Sequence, residues 1–179
     1  MAAGKSNDTL PLCPSAQPSF VDSLAIGVVG GTAEEPRVHP LKKPLPVTLE
    51  LLELAEPVRP TEVFRFAAPC LSTGCAHFAE SSCRLATRVV ALLPEVQEKL
   101  PTCGIRRRCQ WFAQEGAAAC RRCPQVVTDD ANRSTEITFA ADPRTPSDSR
   151  PDARNAPARQ DLPIIGPNVP RSQGGNHRA

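Results

Sequence analysis

Four cysteines, five arginines and the chain's one tryptophan fall within the stretch CGIRRRCQWFAQEGAAACRRCP, from Cys103 to Pro124. Thiols gathered at this density form disulfides, bind a metal or iron–sulfur centre, or hold a small zinc core beneath a nucleic-acid surface. Seven of the eight cysteines lie between Cys70 and Cys123, and His77 lies among them. They divide into two groups. The first is C-x4-C-x-H-x5-C: Cys70, Cys75, His77 and Cys83. The second is C-x5-C-x10-C-x2-C: Cys103, Cys109, Cys120 and Cys123. The remaining Cys13 stands in a proline-rich N-terminal stretch and reads as a bystander.

Zinc accepts four cysteines, or three cysteines and a histidine, and its usual signature is paired C-x2-C knuckles. This chain has one such knuckle, Cys120 and Cys123, and its other gaps match no common zinc finger. Iron–sulfur clusters tolerate more varied spacing, and bacterial ferredoxin runs end in Cys-Pro, as Cys123-Pro124 does here. The arginines agree with a cluster. Arg106, Arg107, Arg108, Arg121 and Arg122 would offset the negative charge of a thiolate-ligated [4Fe–4S] centre and donate hydrogen bonds toward sulfur. The expectation is an iron–sulfur protein with an electron-transfer or redox-sensing role, the second group being the preferred ligand set. The alternative is a zinc-stabilised module that binds nucleic acid or a protein. Its arginines would meet phosphates, and Trp111 or Phe112 would stack on a base. The plainer reading of Trp111 and Phe112 is core beside the metal site.

One geometric condition attaches to the second group. Cys109 and Cys120 are eleven residues apart, which on a straight helix is about 16 Å of rise. Either the chain bends at Gly116 or the two thiols serve different centres.

The block IRRRCQWFAQEGAAACRRCPQVVT resembles a motif in short, uncharacterised cysteine-rich bacterial proteins. The resemblance spans roughly Cys70 to Thr128. It implies a metal or iron–sulfur protein and brings no activity with it.

The elements that must position these residues are few. Twenty prolines, ten glycines and 4% aromatic residues leave little to bury in a chain of 179 residues. The expected organisation is a loop-like segment over 1–46, a cysteine-rich domain over 47–128 and a disordered, Pro-rich tail over 129–179. The fold class expected is a small α+β or mainly α domain stabilised by metal, flanked by disordered segments. Within it, VTLELLELA reads as a short strand or helix and TEVFRFAA as a strand. Leu85, Val89, Leu92, Val96 and Leu100 mark one face of a helix that starts near Ser81 or Ser82 and is interrupted at Pro94. The stretch from Arg108 to Cys123 is a second helix weakened by Gly116.

The apolar run Leu24 to Ala33 is too short to span a membrane and lacks the basic flank of a secretory signal, so it reads as a flexible loop. Its Gly30-Gly31 pair leaves processing open. With no convincing signal, a cytoplasmic location and a redox or protein partner are expected. Clustered thiols in a reducing compartment are metal ligands more often than disulfides. Neither a phosphate-binding loop nor a nucleophile elbow or zincin motif is present, and no catalytic residue is assigned.

Overall fold

The proline-rich run just before Val47, Pro36–Pro46, is a strand. The computed structural model describes residues 10–32, 35–129 and 133–146. A four-stranded antiparallel sheet is built from β1 (Leu12–Cys13), β2 (Leu24–Gly31), β3 (Pro36–Pro46) and β4 (Phe64–Pro69), in the order β1-β4-β2-β3. The expectation of a loop-like 1–46 segment is thereby corrected: from Leu12 to Pro46 the chain supplies three of the four strands. The physical reason is position in the sheet. β3 carries Pro36, Pro40, Pro44 and Pro46 and lies at the edge, where a residue without an N–H leaves no ladder bond unmade. The glycine-rich run read as a loop is β2, paired on both sides, with a register shift between Ala25 and Gly27.

Between β3 and β4 the chain forms two short helices, α1 (Leu49–Glu53) and α2 (Pro60–Val63). Thr48 caps α1 by accepting from the Leu51 N–H at 3.3 Å. Proline at the first position of α2 is favourable because that N–H has no helical partner in any case. The strand expected over Thr61 to Ala68 therefore begins only at Phe64. In β4 the four consecutive residues Arg65, Phe66, Ala67 and Ala68 are buried. Successive strand side chains point to opposite faces, so both faces of β4 are covered.

A small hairpin follows, β5 (Phe78–Ala79) with β6 (Ser82–Cys83). Its turn residues Glu80 and Ser81 both have positive φ, as a two-residue turn of this hand requires. The hairpin delivers the chain to α3 (Arg84–Leu92), whose inner face is Leu85, Ala86, Arg88 and Val89. The helix starts at Cys83 rather than at a serine. It stops at Leu93, which is extended (ψ 144°), because the following Pro94 excludes the helical conformation there. Val96 and Leu100, expected on the same face, lie beyond the helix.

The next helix, α4 (Gln110–Arg122), is broken at Gly116, where φ is 61° and ψ is −141°. α5 (Thr135–Ala141) is capped by Ser134 and buries Ala140 against α3. The tail expected to be disordered from residue 129 thus contributes a helix to the core; residues 130–132 and 147–179 lie outside the described residues. The molecule is a small mixed α+β domain. Its core gathers Leu12, Leu85, Val89, Leu93, Ile105, Trp111, Val126 and Ala140.

Candidate metal centre

Each cysteine group reaches its place by a separate route. The chain runs from the Cys103 loop through a 3-10 turn at Arg106–Arg108 into α4, with Cys109 as the residue before the first helical turn. Gly104 in that loop packs against Pro44 of β3; a Cβ there would lie 2.5 Å from Pro44 Cδ. The Gly116 break turns the second half of α4 back, and Cys120 and Cys123 come to line the same cavity as Cys103 and Cys109. Of the two alternatives that the spacing leaves, the bend at Gly116 is the one present. It is a backbone requirement alone, since a Cβ at Gly116 would meet nothing within 4 Å. This cavity, of about 50 Å3, is also lined by Arg65, Arg106 and Trp111.

The other group is assembled by the sheet and the hairpin. Cys13 pairs with Ala68 across β1 and β4, and the N–H of Cys70 donates to the Pro11 carbonyl at 2.8 Å. Cys75 ends a 3-10 turn, and its sulfur accepts from the His77 N–H at 3.4 Å. Cys83 precedes α3. Cys13, Cys70, Cys75, Cys83 and His77 line one cavity of about 320 Å3. The bystander reading of Cys13 rests on a loop-like segment; Cys13 lies in β1 instead and lines the same cavity as Cys70, Cys75 and Cys83, and the strand pairing that places it there leaves no local signal in the sequence.

His77 is held in a particular state. Arg88 donates to its Nδ1 at 2.8 Å, and a guanidinium can only donate. Nδ1 is therefore the bare nitrogen and Nε2 carries the proton. Burial, and then the Arg88 charge, hold its pKa below the usual value. A histidine that ligates a metal normally donates its other ring N–H to an acceptor. Here Nδ1 faces a donor, so His77 as placed lacks the acceptor that a ligating imidazole normally uses.

Burial disfavours the thiolate form of these cysteines in the metal-free chain. Burial pushes Cys13 and Cys109 up to about 12, against small downward pulls from nearby backbone N–H groups. Burial likewise raises Cys83, Cys120 and Cys123. The Arg106 guanidinium pulls Cys120 back down, and Arg65 does the same for both Cys123 and Cys13.

Arg65 and Arg88 are each 1% exposed. Arg88 is satisfied by the carbonyls of Ala140 and Thr145 and by His77. Arg65 donates through Nε to the Pro14 carbonyl and lies 5.7 Å from the centroid of the Trp111 ring. Its two terminal nitrogens have no hydrogen-bond partner among the described residues. Neither arginine was expected at a site. The signal available was a charged residue inside the apolar strand run FRFAAP and another on the apolar face of α3.

The arginines that were expected beside the metal divide. Arg106 reaches Cys120, stacks over Phe112 at 5.9 Å and donates to the Pro101 carbonyl. Arg107 is exposed. Arg108 donates to the Leu10 carbonyl, Arg121 pairs with Glu95 at 3.6 Å, and Arg122 donates to the Leu93 carbonyl at 2.7 Å and to Glu95 at 3.0 Å. Arg122 thereby satisfies a carbonyl left open at the end of α3.

Among the described residues, no three His, Cys, Asp or Glu side chains converge on one point closely enough to hold a single metal ion, and no helix is long and apolar enough to cross a membrane. Comparison with family models, with curated proteins and with solved structures returns no match.

Proposed function

We propose that the protein is a small iron–sulfur protein with an electron-transfer or redox-sensing role, its [4Fe–4S] centre held by Cys103, Cys109, Cys120 and Cys123. The observation that carries the reading is Arg65. A fully buried guanidinium with two unpartnered nitrogens lies in the cavity that these four thiols line. A buried cation left without its counter-charge costs about 3–5 kcal/mol. The thiols supply no such charge while protonated. Ligated as thiolates they give the site a net negative charge, and Arg65 and Arg106 are placed to meet it.

The same charge argument serves a zinc centre of four cysteines, so it does not separate the two metals. The form of the site favours the cluster. Zinc–sulfur bonds of about 2.3 Å would draw four sulfurs to roughly 3.8 Å from one another. A cluster brings its own iron and sulfide between the thiolates and fits a quartet spread around a cavity. When bound, such a cluster supplies a reversible one-electron couple. The chain's part is to hold four thiolates, to keep water from the Trp111 side, and to raise the potential through buried positive charge.

The fixed bonds of Arg106, Arg108 and Arg122 to backbone carbonyls support a structural role for the arginine runs over contact with phosphates. The test is anaerobic purification with iron, acid-labile sulfide and zinc measured per chain beside the visible spectrum. Equal iron and sulfide, with a brown colour bleached by air, is the expected result. Stoichiometric zinc in a colourless, air-stable protein makes it a zinc module, and neither metal sinks both readings.

A further inference from the structure

We propose that Cys13, Cys70, Cys75 and Cys83 are the thiolate ligands of a second iron–sulfur centre, separate from the Cys103 quartet; this rests on the iron–sulfur reading above and extends it from one centre to two. The four thiols come from four different places in the fold: β1, the end of β4, the 3-10 turn and the start of α3. Nothing in their sequence spacing requires them to meet. They nevertheless line one cavity, and its volume of about 320 Å3 is far more than the roughly 10–15 Å3 that a single water needs. His77 does not complete this set, because Arg88 occupies its Nδ1. Cys13 takes that place, and with it the count becomes four cysteines on each side.

The charges around the second quartet repeat those around the first. Arg88, 1% exposed on the inner face of α3, donates at 2.8 Å to His77 of this cavity, and Arg65 and Arg106 line the cavity of the Cys103 quartet. Each quartet also has one cysteine directly before a helix, Cys83 before α3 and Cys109 before α4.

The experiment uses the full chain, purified without oxygen and loaded with ferric iron and sulfide, a thiol reductant supplying the two electrons that each [4Fe–4S] core requires. About eight irons and eight sulfides per chain are expected for two [4Fe–4S] centres. Cys13→Ser and Cys75→Ser should each retain half of the iron, and Cys123→Ser the other half. Cys75 lies in a half-exposed turn outside the sheet and helices, so its variant keeps the test readable if Cys13→Ser disturbs β1. About four irons per chain, abolished by Cys123→Ser and untouched by Cys13→Ser and Cys75→Ser, overturns the second centre and leaves the first. Zinc without sulfide, or no metal in any form, overturns the iron–sulfur reading and this proposal with it.

Discussion

Leu12 and Cys109 form an isolated parallel bridge. Bridged strands run about 5 Å apart and successive Cα atoms are 3.8 Å apart, so the Cα of Cys13 lies within roughly 9 Å of that of Cys109. One backbone contact thus joins the two cysteine quartets: Cys109 belongs to one, and the neighbour of its bridge partner belongs to the other. Leu12 itself is 2% exposed and part of the core. Gln114 makes a second link, accepting from the Cys83 N–H at 2.8 Å and donating to the Cys83 carbonyl at 3.0 Å from the helix that carries Cys120. Binding at either quartet would therefore order the same few elements, and this shared packing would couple the two proposed sites.

Arg65 should respond oppositely in the metal-free and metal-loaded protein. Replacing a buried, unpaired cation by an apolar side chain of similar length is often neutral or stabilising by about 1–4 kcal/mol. Arg65→Met is therefore expected to raise the unfolding midpoint of the metal-free chain. In the loaded protein it removes positive charge beside Cys123 and should lower the reduction potential and weaken retention of the centre. Thermal unfolding in both states, with a potentiometric titration, checks the pair of signs. A variant that destabilises the metal-free chain would show that Arg65 is held by the fold and not by an anion.

Gly116 carries the bend that brings Cys120 back to Cys109. Its φ of 61° with ψ of −141° is a region that side chains other than hydrogen rarely enter. Gly116→Ala is expected to cost about 1–3 kcal/mol in backbone strain, although nothing stands in the way of the added methyl. Relief of that strain by a straight helix would draw Cys120 away from Cys109. Iron at the Cys103 quartet should fall while the Cys13 quartet keeps its own. Ala117→Gly, next to the break, serves as control and should leave both contents unchanged.

A bend at Gly116 was legible as one of two alternatives because it follows from local spacing, and the four cysteines grouped by that spacing line one cavity. The inner face of α3 up to Pro94 was legible too. Cys13 was not legible, because its place is set by pairing with Ala68, far along the chain, and such pairing depends on which strand finds an edge. The prolines of β3 misled for a related reason: they argue against a central strand and are silent about an edge. Arg65 was hidden by its ordinary neighbours. Alternation in FRFAAP places it opposite the phenylalanines, but β4 is covered on both faces, so the arginine is buried as well. His77 fits a ligand pattern in the sequence, and only its contact with Arg88 shows which nitrogen is bare.

His77→Gln separates a ligand from a neighbour. If His77 donates to the site without binding metal, the glutamine variant should keep the full iron content, because its amide oxygen can still accept from Arg88. Cys83→Ser, in the same cavity, should lose that centre. Absorbance at the charge-transfer band and iron per chain decide between them. Loss of iron in His77→Gln to the level of Cys83→Ser would place the imidazole among the ligands.

The metal-free, reduced protein should lose stability in alkali. Cys13 and Cys109 have an ordinary value of 9.0 and are held at about 12 in the folded chain by burial. Below pH 9 both states keep these protons and the contribution to stability is whole. Between pH 9 and about 12 the unfolded thiols ionise while the folded ones do not, so stability drains as pH rises. For Cys109, which is 7% exposed, the slope is about 1.4 kcal/mol per pH unit. Urea unfolding at pH 8 and at pH 10.5 measures it, and Cys109→Ala should shrink the difference and leave the part that Cys13 supplies. The loaded protein should behave in the opposite way. Its thiolates are already deprotonated, so acid rather than alkali strips the centre, and binding releases protons that a pH-stat can count. Equal stability of the metal-free chain at the two pH values would mean that these thiols are solvated in solution.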